Sequence, residues 1–170
     1  MAERNYSDEQ IREEIRSHLK MYIDKNMGGS EDKTDRFSYI YMRTEKILRH
    51  LMDRILAEFT SSDFEMCAFE LKIGKNGDVE PIEIKLNDGS VQIKGFVDRV
   101  DKLDVNYRRY IRVIDYKTGA KEFVLSDVLY GLNMQMLLYL VSIIRSKEGF
   151  YKDTVPAGVL YFPANIKPVA

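Results

Sequence analysis

Two stretches decide how this chain folds: Gly95-Phe96-Val97-Asp98-Arg99-Val100-Asp101 and Ile111-Arg112-Val113-Ile114-Asp115-Tyr116-Lys117. Both are short and rich in branched and aromatic residues, and both read as strands. Alternate residues of a strand share a face. That periodicity puts Asp98 with apolar Phe96 and Val100, and it lines Asp115 and Lys117 up behind Ile111 and Val113. A carboxylate on an apolar face is costly unless a cation, an arginine or a metal ion pairs with it. Thr118-Gly119 then ends the second strand, so an acid and a lysine sit side by side where a sheet opens to solvent. If the two strands are neighbours, the two acids converge.

Further strands surround this pair. Cys67 to Ile73, Pro81 to Leu86 and Val91 to Val100 read as extended segments, punctuated by Asn76-Gly77 and Asp88-Gly89, both strong hairpin turns. Tyr110 to Tyr116 follows the polar stretch Asp101 to Arg109, and Ala157 to Phe162 is a last strand candidate after Pro156. Between these lies an apolar stretch from Val124 to Ile144. Ser126, Asp127, Gly131, Asn133 and Gln135 interrupt it, so it reads as a buried helix and not as a membrane span. Towards the N-terminus, Ile11, Ile15, Leu19, Tyr22 and Ile23 recur at helical spacing. Asn26 to Asp35 is a polar loop, and a longer helix over Asp35 to Phe59 carries a stripe from Phe37 to Phe59. The order is helix, helix, four strands, helix, strand. It predicts an α/β fold, a mixed central sheet flanked by helices with an N-terminal helical pair. The expected division is a helical part over 1–60 and a core over 61–170. The apolar tail Phe162 to Ala170 has no closing element, which points to a domain cut short within a longer protein.

The bulk numbers narrow the function. A length of 170 residues suits one core, and 45% apolar with 31% charged residues fit an ordinary soluble globular protein. Twenty-six basic and 27 acidic residues leave a formal charge of −1. A protein that held DNA mainly by neutralising phosphates would be more basic. Any DNA contact must therefore be local, or a partner must deliver the strand. Cys67 is the one cysteine, so neither a disulfide framework nor a cysteine metal site can form within the chain. The polar start MAERNYSDEQ carries no apolar signal region.

Two carboxylates and a lysine make chemical sense for phosphodiester cleavage. Magnesium takes one or two carboxylates and keeps positions open for water and phosphate oxygen. A bound metal acidifies water and polarises the phosphoryl group. An adjacent lysine orients the water and stabilises developing charge. Downstream, Gln135 and Tyr139 are four residues apart on one helix face.

Taken in order, GFVDRVD, VIDYKTG and the helix YGLNMQMLLYL resemble the RecB-type branch of the PD-(D/E)XK nucleases, and within it the C-terminal nuclease domain found in the B subunit of bacterial ATP-dependent helicase–nucleases. The resemblance covers about Phe64 to Ala170 and, more loosely, the helices before it. It implies a restriction-endonuclease-like fold. It also implies a Mg²⁺-dependent DNA exonuclease, with Mn²⁺ as a substitute, that processes double-strand breaks for recombinational repair. The implied partners are DNA and the A subunit of the helicase–nuclease, in the cytoplasm and with no membrane. By position, Asp98 and Asp115 match the metal ligands and Lys117 the catalytic lysine. Gln135 and Tyr139 match the helix's glutamine–tyrosine motif, and Glu70 matches a further acidic position that would join the metal.

The chain departs from the family in two places. The family's upstream metal-binding histidine has no counterpart in His18 or His50, which places it outside these residues. The family's four-cysteine iron–sulfur cluster cannot form on Cys67 alone. Plain readings stand beside each assignment. The acids could cap turns or pair with arginine, Lys117 could be a solvated edge residue, and Gln135–Tyr139 could be a core hydrogen bond. His18 reads as a core-edge residue and Cys67 as a small buried hydrophobe. Arg108, Arg109 and Arg112 could line a DNA path or form a solvated face. The alternative for the whole chain is a non-catalytic DNA-holding or subunit-interaction module of the same fold.

Overall fold

The computed structural model describes residues 7–29, 34–117, 126, 128, 130 and 134–164. The chain divides into two compact units, Met1–Glu58 with Ala164–Ala170, and Phe59–Pro163.

The first unit holds two helices. Helix α1, Asp8–Met27, starts on a full capping box. The Ser7 hydroxyl accepts from the Gln10 N–H, and the Gln10 side chain accepts from the Ser7 N–H. It ends on Gly28, whose φ of 72° is a left-handed conformation that suits glycine. Helix α2 spans Asp35–Thr60. Arg16 pairs with Glu45 and Arg49 with Asp8, both at 2.7 Å, and these ion pairs tie α2 to α1. His18 lies at the edge of a groove lined by Ile11, Ile15, Leu48 and Leu51. Its ring is largely exposed and sits 3.6 Å from Glu14.

The second unit is built on a four-stranded sheet of β1 (Glu65–Ile73), β4 (Gly95–Val105), β5 (Arg108–Lys117) and β6 (Val155–Pro163), in the order β1-β4-β5-β6. The first three strands run antiparallel, and β6 lies parallel to β5. A parallel neighbour requires a crossover connection. Helix α3, Gln135–Ile144, belongs to it and packs on β4, β5 and β6. Its buried residues Met136, Tyr139, Leu140 and Ile143 follow the one-face helical spacing. The expected helix residues 124, 125, 127, 129 and 131–133 lie outside the described residues, as does the Thr118-Gly119 stop. Strand β5 is covered on both faces: Ile111, Val113 and Ile114 are all fully buried.

Three strand readings need correction. The segment Val91 to Val100 is two strands, because β2 (Ile82–Leu86) and β3 (Gly89–Ile93) pair with each other as a separate hairpin around Asp88-Gly89, and β4 begins at Gly95. Asn76-Gly77 does not join paired strands. It turns a loop in which the Asp78 carboxylate and the Lys72 N–H hydrogen-bond at 2.8 Å. The polar stretch Asp101 to Arg109 is no connector but the body of a hairpin. Strand β4 continues to Val105, and Asn106 and Tyr107, at φ 50° and 60°, turn the chain directly into β5. Charge disguised it: Asp104 faces Arg109 across the ladder, and Arg109, with Lys102, holds the Asp104 carboxyl down at about 2.

Candidate functional site

The strict alternation expected for β4 fails at Asp98. Val97 and Val100, three residues apart, are both buried in the core, while Phe96 is 61% exposed. Asp98 therefore does not share one apolar face with Phe96 and Val100. The β1–β4 ladder is irregular in two places: its register shifts between Met66 and Ala68, and one pair is missing further along. Phe69 pairs with Arg99 and Leu71 with Val97, but Glu70 and Asp98 between them drop out of the pairing. Glu70 itself is forced to φ 46°, a left-handed conformation rare for a residue with a side chain. Such irregularities redirect side chains out of the regular pleat.

Asp98 is redirected towards the end of β5. Its Oδ2 accepts a hydrogen bond from the backbone N–H of Tyr116 at 2.9 Å. Tyr116 lies between Asp115 and Lys117, so both acids and the lysine gather at one sheet end. Asp115 is 9% exposed, and Lys117 Nζ lies 2.5 Å from its Oδ2. That contact is a close ion pair and not a well-aligned hydrogen bond. Apart from it, this buried oxygen has no hydrogen-bond donor among the described residues. Asp115 raises the Lys117 ammonium above the ordinary lysine value, with a smaller contribution from Asp98. Lys117 is thus a fixed cation at neutral pH. Its Nζ also stands 5.7 Å from the Tyr161 ring, and burial, then the Asp115 charge, raises the Tyr161 hydroxyl.

Tyr139 comes to this region through Gly95. A Cβ at Gly95 would overlap Tyr139 Oη and lie 2.6 Å from Cζ, so the missing side chain is what admits the ring beside the start of β4. Gln135, exposed at the start of α3, donates its Nε2–H to Tyr139 Oη at 2.9 Å. Glu70 stands across the ladder from Asp98 but is exposed. Among the described residues no group of three or more His, Cys, Asp or Glu gathers as a metal cage. The carboxylates that meet Lys117 and the Tyr116 N–H at this sheet end are Asp115 and Asp98. Two carboxylates, one with a buried oxygen lacking a donor, fit a hard divalent cation that keeps waters in its remaining positions. Cys67 is half-buried and donates to the Val100 carbonyl at 3.4 Å.

The sequence reading missed a buried ionic cluster behind these residues. Arg99 and Asp101 are both fully buried, and the guanidinium grips the carboxylate through two hydrogen bonds of 2.7 Å. Arg112, the ladder partner of Asp101, adds two more at 2.9 and 2.8 Å. Phe59 covers Arg99 at 4.5 Å and Phe64 covers Arg112 at 4.4 Å. Arg109 is likewise committed, to Asp104 and to the Phe150 ring at 4.1 Å. Only the run of charge in DRVD hinted at this cluster, since strand periodicity put Arg99 and Asp101 on the face opposite Val100.

The mixed sheet, its crossover helix and the D…DxK pattern at one sheet end define a restriction-endonuclease-like nuclease core. Consistent with this, the PD-(D/E)XK nuclease superfamily model matches residues 1–169, and the chain belongs to that superfamily. Among curated proteins it is 40% identical over 166 residues to the B subunit of the ATP-dependent helicase/deoxyribonuclease of Clostridium tetani, a match covering 94% of this chain and 14% of the relative. The proteins of the same name from Clostridium acetobutylicum and Acetivibrio thermocellus are 35% and 34% identical, over 92% and 88% of this chain. The chain spans 14% of the length of the first and second of these relatives and 13% of the third. No helix among the described residues is long and apolar enough to cross a membrane.

Proposed function

We propose that this chain carries the DNA-cleaving centre of the B subunit of an ATP-dependent helicase–deoxyribonuclease. In this reading it is a Mg²⁺-dependent exonuclease that Mn²⁺ also supports, and it processes double-strand breaks for recombinational repair in the cytoplasm. One observation carries the reading: Asp98 is tied by the Tyr116 N–H to the strand end where Asp115 and Lys117 form their ion pair. Asp98 and Asp115 would hold the ion. When bound, it supplies an acidified water and charge neutralisation at the phosphoryl group. Lys117, cationic throughout the working range, orients the attacking water and stabilises charge developing on phosphate oxygen. Gln135 offers its exposed carboxamide to the substrate, while Tyr139 fixes its direction. The near-neutral charge supports delivery of the strand by the companion A subunit.

The test is calorimetric titration of Mn²⁺ into this chain beside Asp98→Asn, followed by strand degradation with Lys117→Ala in the longer protein. The expected outcome is binding by the parent, weakened by about tenfold or more in the variant, and degradation lost with the lysine. Equal Mn²⁺ binding by parent and variant, or degradation that survives Lys117→Ala, would instead favour a module that holds DNA without cutting it.

A further inference from the structure

We infer that the buried Arg99–Asp101–Arg112 cluster is the device that positions Asp98, making Arg99 and Tyr116 positioning residues for the site. The functional consequence rests on the metal reading of Asp98 and Asp115; the geometry does not.

A fold gains little stability from such a cluster. Replacing a buried ion network by apolar side chains of similar volume is often neutral or stabilising, whereas removing one partner is strongly destabilising. What a cluster of this kind does provide is directional constraint. Arg99 is the residue after Asp98, and its two-pronged grip on Asp101 fixes the β4 backbone where the ladder pairing lapses. Arg112 anchors the same carboxylate from β5 and so locks the two strands in register. Arg99 also donates from Nη1 to the Tyr116 hydroxyl at 3.4 Å. Tyr116 is further held edge-on to Phe162 at 5.6 Å. Its backbone N–H, on the same residue, is the donor that holds Asp98. Cluster and carboxylate thus meet at one residue, Tyr116, in the strand that also carries Asp115 and Lys117. Asp98 has no ladder partner of its own in the β1–β4 register, so the neighbouring Arg99 is where the cluster acts on its backbone.

The decisive readout is the Tyr116 amide, which reports the Asp98 hydrogen bond directly. Its hydrogen exchange is followed by NMR in the parent, Asp98→Asn, Arg99→Lys, Tyr116→Phe and the apolar triple variant R99M/D101L/R112M. Thermal melts and Mn²⁺ titrations run alongside. The triple variant is expected to stay folded with the Val113 and Ile114 amides protected, while the Tyr116 amide exchanges about tenfold faster or more. Mn²⁺ affinity is expected to fall by about tenfold with it. Arg99→Lys keeps the charge but loses the fork, and it should show the same selective loss if the triple variant does not fold. Tyr116→Phe should lie between it and the parent. A Tyr116 amide as protected as the parent's in the folded triple variant, or in Arg99→Lys, overturns the inference. If the parent binds no Mn²⁺ but the selective amide loss is seen, positioning stands and the metal reading falls.

Discussion

Gly95→Ala is the sharpest test of how the helix motif reaches the sheet. The backbone at Gly95 is not in the left-handed region, so alanine meets no conformational barrier and the whole cost is steric. The added Cβ would overlap Tyr139 Oη and lie 2.6 and 2.8 Å from Cζ and Cε1. The ring cannot yield cheaply, because Tyr139 is 8% exposed within the core. Overpacking of this kind costs about 1–3 kcal/mol. Displacing the hydroxyl from Gln135 adds about 0.5–1.5 kcal/mol for the lost hydrogen bond. Reduced freedom of the unfolded chain returns about 0.4–1 kcal/mol. The net expectation is a loss of about 0.5–4 kcal/mol, centred on ~2 kcal/mol, a sizeable part of the ~5–15 kcal/mol that holds a domain folded. Urea unfolding followed by far-ultraviolet circular dichroism measures it. Tyr139→Leu removes the clashing atoms, so Gly95→Ala in that background should cost far less, with a coupling of about 1–3 kcal/mol between the sites. Additive effects, within about 0.5 kcal/mol, would refute the argument that Gly95 exists to admit this ring.

Lys117 should titrate above 10.5, because Asp115 raises its folded value, and Asp115→Asn should lower it when followed by NMR of the side-chain amine. The sign follows: the stability from this pair is complete below 10.5 and disappears as pH rises through the folded value. Asp101→Leu alone leaves two guanidiniums facing an apolar side chain and should cost about 3–5 kcal/mol in chemical denaturation, far more than the apolar triple variant. Tyr107→Gly should stabilise by about 1 kcal/mol or more in the same assay, since Tyr107 is fully exposed and held at φ 60°.

Local patterns are the legible part. Ser7 and Gln10 spell a capping box, Asp88-Gly89 a hairpin, and VIDYK a strand ending in acid and lysine. What stays hidden depends on partners distant in sequence. Asp101 reads as a polar residue near a loop until Arg112, eleven positions on, arrives across the ladder. Asn106-Tyr107 does not read as a turn because tyrosine seldom takes positive φ, and the pairing of β4 with β5, closed at Val105 and Arg108, sets it there. The direction of Asp98 is illegible for the same reason. Periodicity assumes an unbroken ladder, and the break at Glu70 and Asp98 arises between two strands, not within either.

The low net charge is accompanied by extensive pairing of the charges present. Several arginines are committed to carboxylates: Arg99 and Arg112 to Asp101 inside the protein, and Arg109 to Asp104, Arg16 to Glu45 and Arg49 to Asp8 in ion pairs that reach the surface. Each of these charges is offset by a neighbouring carboxylate, and the Arg99–Asp101 pair is withdrawn from solvent altogether. A chain arranged this way gains little affinity from counterion release, so the proposed cutting must depend on a strand brought to it. At the sheet end the remaining charge is compact: one lysine held against one acid, with a second acid restrained through a backbone N–H. Such a centre favours placement over capture, which is what the proposed delivery of the strand by a companion subunit requires.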